Sequence, residues 1–376
     1  MTFLDKDNTP VLLLTLSLPL AYAPKIFTGD TQPWILIASL ISLFFVKNTY
    51  HLDKVFVTLL LLSFASVISF FYRSESDFLI QRNIYIYFSF LVFWIATKKY
   101  EHIFSDAIKF VVLVWFVIGL SQYVFSVLLG VDINPIGRYI PGRGGMPSLT
   151  AEPSFYGSLS VIQAMYLSFE NPKKNIFFIF LALLSVVISG SILAIILLIP
   201  VLCFFIIKSH FSFSKIFCGV IVLLCLFLLF LPDGLESRLI KIINSHSFLD
   251  FFNDQSVNLR LGHIWFTLFH NLQNSFLLRG DLNFWGEYNS FAEQTSFLLK
   301  TKSEYILTGL GDLIYSGGIF SFLIVFILFR EALNSCSGWF DKTFKVIFIF
   351  MLMLNPISIS NFFLILFINQ KTLKKI

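Results

Sequence analysis

Long apolar runs, near 10–23, 33–46, 55–72, 83–97, 107–129, 154–169, 176–189, 191–207, 214–231, 313–329 and 344–369, alternate along this sequence with polar stretches. A helix that crosses a bilayer needs about 20 mostly apolar residues, fewer when other helices surround it. Runs of this length and number predict an all-α, polytopic membrane protein. Charge agrees, since 13% of the 376 residues are charged and 57% are hydrophobic, against about a quarter charged in soluble domains. The first run, Val11 to Ala23, follows Asp5, Lys6 and Asp7 and shows no small-residue cleavage site, so it reads as a span and not as a signal peptide. Asn355-Pro356 splits the last run, which is one kinked helix or a hairpin of two.

Lysine sets the orientation, because short cytoplasmic loops carry the positive excess. Lys47 and Lys54, Lys98 and Lys99, Lys173 and Lys174, Lys208 and Lys215, and Lys342 and Lys345 fall in every second loop. If the tail lysines Lys371, Lys374 and Lys375 are also inside, the hairpin is favoured and the total is about twelve spans. Seven of the eight arginines (all but Arg330) then fall on the opposite side, where topogenic charge does not belong. Arginine concentrated there suggests an anionic ligand. The net charge of +5 is orientation signal and no nucleic-acid footprint. The cysteines, Cys203, Cys218, Cys225 and Cys336, give neither a disulfide framework nor a zinc spacing. The chain reads as one membrane domain, 1–376, with two external active segments, 130–153 and the large loop 232–312.

The first segment is turn chemistry from Asn134 to Ser148, with Arg138 and Arg143 among glycines and prolines, and leads into Glu152-Pro153-Ser154. Proline suits the first turn of a helix, so the next span is expected to begin at Glu152 with its N-terminus outward. Unpaired N–H groups and the positive dipole end there attract anions, and two arginine forks add to them. Glu152 has two readings. It caps its own helix and pairs with Arg143, or it is a site carboxylate in a pocket with the two arginines.

In the large loop, Arg260, His263, Thr267, His270 and Asn274 recur at steps of three and four opposite Leu261, Ile264, Trp265, Leu268, Phe269 and Leu272. That is an amphipathic helix for the membrane interface, its apolar face toward lipid or the spans. Its polar stripe presents Arg260, His263 and His270 together, and Arg238 and Arg279 stand where they can join them. For His270 and Arg279, resting on lipid headgroups is the competing account. No metal spacing appears. Arg73 and Arg82 flank Glu75 and Asp77 and read as local ion pairs.

An external Arg-Gly segment running into Glu152-Pro153-Ser154, a Ser189-Gly190-Ser191 joint between apolar runs, and a long penultimate external loop together resemble the bacterial O-antigen polymerases, the Wzy-type members of the O-antigen ligase and polysaccharide polymerase superfamily. Specific residues match around 138–157, 236–262 and 303–320, where Gly309 to Ile319 resembles the family's glycine-containing helix start. The resemblance implies a GT-C-like helical fold in the bacterial inner membrane with a periplasmic active site. It further implies no metal or other cofactor, and an undecaprenyl-diphosphate-linked oligosaccharide as substrate among membrane lipids; a chain-length regulator protein is a further partner it allows. Arg143 and Glu152 match the family's first-loop Arg and Glu-Pro, and Arg238 and Arg260 its basic large-loop positions.

On that resemblance Arg143 and Arg260, supported by Arg138, Arg238 and Arg279, neutralise the leaving diphosphate, and Glu152 or His263 takes the acceptor proton. Two alternatives stand beside the polymerase. Related ligases, which transfer polymer to lipid A-core, carry a His-Asn pair where this chain reads Lys302-Ser303-Glu304-Tyr305. A flippase of the same lipid-linked sugar would place charge inside its spans and show repeated halves, whereas here Lys109 is the main charge near a span.

Overall fold

The computed structural model of the chain describes residues 9–20, 33–44, 54–72, 78–98, 104–131, 145–150, 152–209, 255–273, 284–295, 297–301, 306–336 and 338–355. Among these residues all regular structure is helical. The helices are α1 (Thr9–Ser17, continued by a 3₁₀ turn, Leu18–Leu20), α2 (Trp34–Phe44), α3 (Lys54–Tyr72), α4 (Phe78–Lys98), α5 (Phe104–Leu129) and α6 (Pro153–Glu170). After them come α7 (Ile176–Ser189), α8 (Ile192–Ser209), α9 (Gln255–Gln273), α10 (Phe284–Gln294), α11 (Gly309–Asn334) and α12 (Trp339–Met353). Helices occupy the described parts of the expected apolar runs; 214–231 lies outside the described residues, and so does the stretch of 344–369 beyond Asn355, with the choice there between one kinked helix and a hairpin. One helix among them, at Phe104–Ser126 in α5, is long and apolar enough to cross a membrane, with a mean hydropathy of 2.0.

Local chemistry accounts for the helix ends. Pro153 occupies the first turn of α6, as the Glu-Pro pair predicts. Gly190 closes α7 in the left-handed conformation at φ 57°, the usual helix stop. Thr308 caps α11, its hydroxyl accepting the Gly311 N–H. Lys109, the exceptional charge near a span, pairs with Asp106 one turn earlier at 2.9 Å. Lys345 differs from expectation: the sequence groups it with loop charge, yet it is buried on α12 and donates to Ser335 at the end of α11. A lysine there complements the negative end of the α11 dipole.

The chain forms two compact units. The first comprises Met1–Phe45, Tyr100–Asn244 and Lys371–Ile376, the second Val46–Lys99 and Ser245–Gln370. In the first, α6 is the central helix, buried from Phe155 to Phe169 and packed by α5, α7 and α8. Trp115 of α5 is its hub: the indole N–H donates to the Pro19 carbonyl at 3.0 Å, and the Trp115 carbonyl accepts the Tyr156 hydroxyl at 3.1 Å. In the second unit α3 pairs with α4, α11 packs on α3, α9 and α12, and α10 covers α9. Leu259, Phe266, Phe284, Tyr288, Ala292, Leu298, Ile306 and Tyr315 form the apolar core there.

Candidate functional site

Residues 145–150 do not lie over the surface as a turn-rich loop is expected to; all six are buried. Irregular backbone inside a protein needs partners for its polar groups, and this segment has them. The Met146 N–H donates to the Ile188 carbonyl at 3.0 Å. Gln122 of α5 holds Ser148 at two points, accepting its N–H at 2.8 Å and donating to its carbonyl at 3.0 Å. The Ser148 hydroxyl donates to the Trp115 carbonyl at 2.7 Å. Ser148 is thereby fixed at φ 53°, a conformation that costs a non-glycine residue about 1–3 kcal/mol and survives where surroundings over-determine it.

The Ser-Gly-Ser joint noted in the sequence is what this segment packs against. A Cβ on Gly145, at φ 97°, would collide with the Ser189 carbonyl. On Gly157, in the first turns of α6, it would meet the side chains of Ser189, Ala194 and Ser191. Loop, joint and the start of α6 are thus interlocked through absent side chains.

Glu152 stands at the end of this anchored stretch. Its backbone is extended, at φ −147° and ψ 152°, and its carbonyl accepts the N–H groups of Phe155 and Tyr156 at 3.1 and 3.2 Å. The carboxylate makes no cap hydrogen bond to its own helix. It accepts instead from the Ser154 hydroxyl at 3.3 Å and remains partly exposed. No side-chain cap bond therefore accounts for a glutamate here. Arg138, Arg143, Arg238 and Arg279 lie outside the described residues, and with them the expected Arg143–Glu152 pair.

The amphipathic helix appears as α9, and its polar stripe faces inward. Asn258, Arg260, His263, Thr267, His270 and Asn271 are all buried, while Leu261, Trp265, Phe269 and Leu272 are exposed. This is the reverse of a soluble surface helix and fits an apolar face turned to lipid. Arg260 Nη1 donates to Asn355 Oδ1 at 3.3 Å and to the Leu354 carbonyl at 3.4 Å, at the C-terminal end of α12, where cations are favoured. The Asn355 carbonyl in turn accepts the Gly309 N–H at the start of α11. As placed, Arg260 closes a junction of three helices.

His263 Nδ1 accepts the Leu307 N–H at 2.9 Å, so in the neutral ring the proton sits on Nε2. The imidazole stands nearly perpendicular to the rings of Phe284 and Tyr288, at 4.9 and 4.7 Å between centroids. Burial, and then the Arg260 charge, lower its pKa from 6.5 to about 3. With Nδ1 occupied and protonation this unfavourable, the ring is a poor general base and a good support for the chain entering α11. His270, for which headgroup contact competes in the sequence reading, points inward and lies 3.0 Å from Glu287 of α10 through Nε2.

A pH effect follows from His263. Its folded pKa lies below the unfolded one, so the unfolded chain binds the extra proton between about pH 6.5 and 3. Its contribution is complete above that window and lost on acidification through it, by about 1.4 kcal/mol per pH unit at the steepest. Melting of the detergent-solubilised chain from pH 7 to 4 should fall less steeply for His263→Gln than for wild type; parallel curves would contradict the buried neutral ring.

Sequence reasoning missed Gln122, Ser148 and Asn355. Gln122 left a signal, an amide inside an apolar run, whereas nothing in the pattern marked Ser148 for a left-handed backbone. The described residues define an all-helical protein with one membrane-length apolar helix, its polar chemistry gathered at helix ends and on the inward face of α9. No family model, curated protein or solved structure matches the chain.

Proposed function

We propose that the chain is a multi-pass polymerase of the bacterial inner membrane, with about twelve spans, that joins undecaprenyl-diphosphate-linked oligosaccharide repeats at the periplasmic face. The observation that carries this reading is Glu152: a partly exposed carboxylate, uncommitted to capping, on backbone that Gln122, Trp115 and the Ser189 joint hold in place. A general base needs this, because proton transfer depends on position before basicity. The sequence places Arg138 and Arg143 just upstream of Glu152. In the reaction the acceptor hydroxyl gives its proton to Glu152 and its oxygen bonds to the anomeric carbon of the donor. The bond from that carbon to the diphosphate breaks, and the departing charge is met by Arg143 and Arg138, with the positive end of the α6 dipole nearby. Within this reading Arg260 and His263 hold the large loop's helices together.

Arg143→Lys tests the proposal more sharply than Arg143→Ala, since lysine keeps the charge and loses the two-pronged geometry. Lipopolysaccharide gels of cells carrying either variant should show polymer lost with alanine and strongly shortened or lost with lysine. Full-length ladders from both would sink the role of Arg143. A ligase, the nearer alternative, would leave long polymer on its lipid carrier when deleted; a polymerase leaves single repeats.

A further inference from the structure

The outward faces of the two large-loop helices differ in chemistry. The exposed large side chains of α9, Leu261, Trp265, Phe269 and Leu272, carry no charge. On α10, Trp285, Asn289 and Glu293 follow at steps of four and so share one face. Glu293 pairs there with exposed Lys300. Trp285 is half exposed, yet its indole N–H donates to the Thr301 carbonyl at 2.7 Å.

Two amide clamps hold the segment that receives that bond. Asn289 accepts the Thr301 N–H at 2.9 Å and donates to its carbonyl at 3.1 Å. Asn258 of α9 donates to the Phe297 carbonyl at 2.7 Å and accepts the Leu299 N–H at 2.8 Å. The indole is therefore a plate fixed next to the Asn289 amide, on the face of α10 that carries the Glu293–Lys300 pair two turns farther along. Rigid aromatics cost little entropy on binding. Lipid would leave this charged pair unsolvated, whereas a sugar offers C–H faces to the ring and hydroxyls to the polar groups.

We infer that Trp285, with the Glu293–Lys300 pair farther along the same face, is a glycan-binding platform on the large loop, taking sugar rings of the repeat unit or growing polymer away from the reacting bond. The ligand class rests on the polymerase reading. The platform contributes affinity and retention and takes no part in bond making, so its loss shortens polymer without abolishing it.

The test uses the full chain in lipid nanodiscs, titrated calorimetrically with polysaccharide released by mild acid from the host strain's own envelope. Trp285→Ala should weaken binding by about tenfold, Trp285→Phe should retain most of it, and Trp265→Ala should leave it unchanged. Lys300→Ala, which spares the Thr301 bond, should weaken binding a few-fold with unaltered melting, so a folding defect in Trp285→Ala does not decide the matter. In nanodiscs of brominated phosphatidylcholine, Trp265→Phe should remove much of the quenched emission and Trp285→Phe little. Unchanged glycan affinity in both Trp285→Ala and Lys300→Ala, or strong bromine quenching of Trp285, would overturn the platform. Glu152→Gln should bind the glycan like wild type while making no polymer; a normal ladder from it would remove Glu152, the observation that carries the polymerase reading, and leave the platform standing.

Discussion

Cells in which Glu152→Gln replaces the wild-type chain are expected to lose polymer and to carry a single repeat on lipid A, at normal protein levels. Glutamine has the same shape and can still accept the Ser154 hydroxyl, and α6 draws no cap bond from this side chain, so folding has little to lose. What disappears is a charge and a base. General acid–base catalysis contributes about 10²–10⁴ in rate, enough to take a many-step polymer below detection. Silver-stained lipopolysaccharide gels with an immunoblot for the protein read both parts; an unchanged ladder would reduce Glu152 to a partner of Ser154.

Gly145→Ala is expected to produce the largest loss of stability. An alanine Cβ must adopt φ 97° and would overlap the Ser189 carbonyl, a backbone atom that cannot swing aside. Strain and overpacking together cost about 3–5 kcal/mol, seen as a drop in melting temperature and proteolytic cleavage within 130–153. Gly130→Ala supplies the control: that glycine also has positive φ, at 61°, but open space around its Cβ. Its substitution should cost about 1 kcal/mol. Equal effects at the two positions would mean that the interlock with the Ser189 joint contributes nothing.

The helices were legible because apolar length and Glu-Pro, Gly and Asn-Pro punctuation are local signals. The amphipathic pattern of α9 was equally plain, and so was the company of Arg260, His263 and His270 on one face. Which neighbours that face would meet was not legible. Arg260 finds Asn355, 95 positions away, and His263 finds a backbone N–H 44 positions away, pairings that no periodicity encodes. The same holds for the first segment. Glycine and proline announce turns, but the descent of 145–150 into the protein depends on one amide of α5 and on a carbonyl of the Ser189 joint.

That descent sets a depth. Ser148 hangs from Trp115 and Gln122, the nearer of them seven residues short of the Leu129 end of α5, or roughly 10 Å of helix at 1.5 Å per residue. Glu152, four residues along the same stretch, starts α6 from an anchor inside α5 and not from the loop end of that helix.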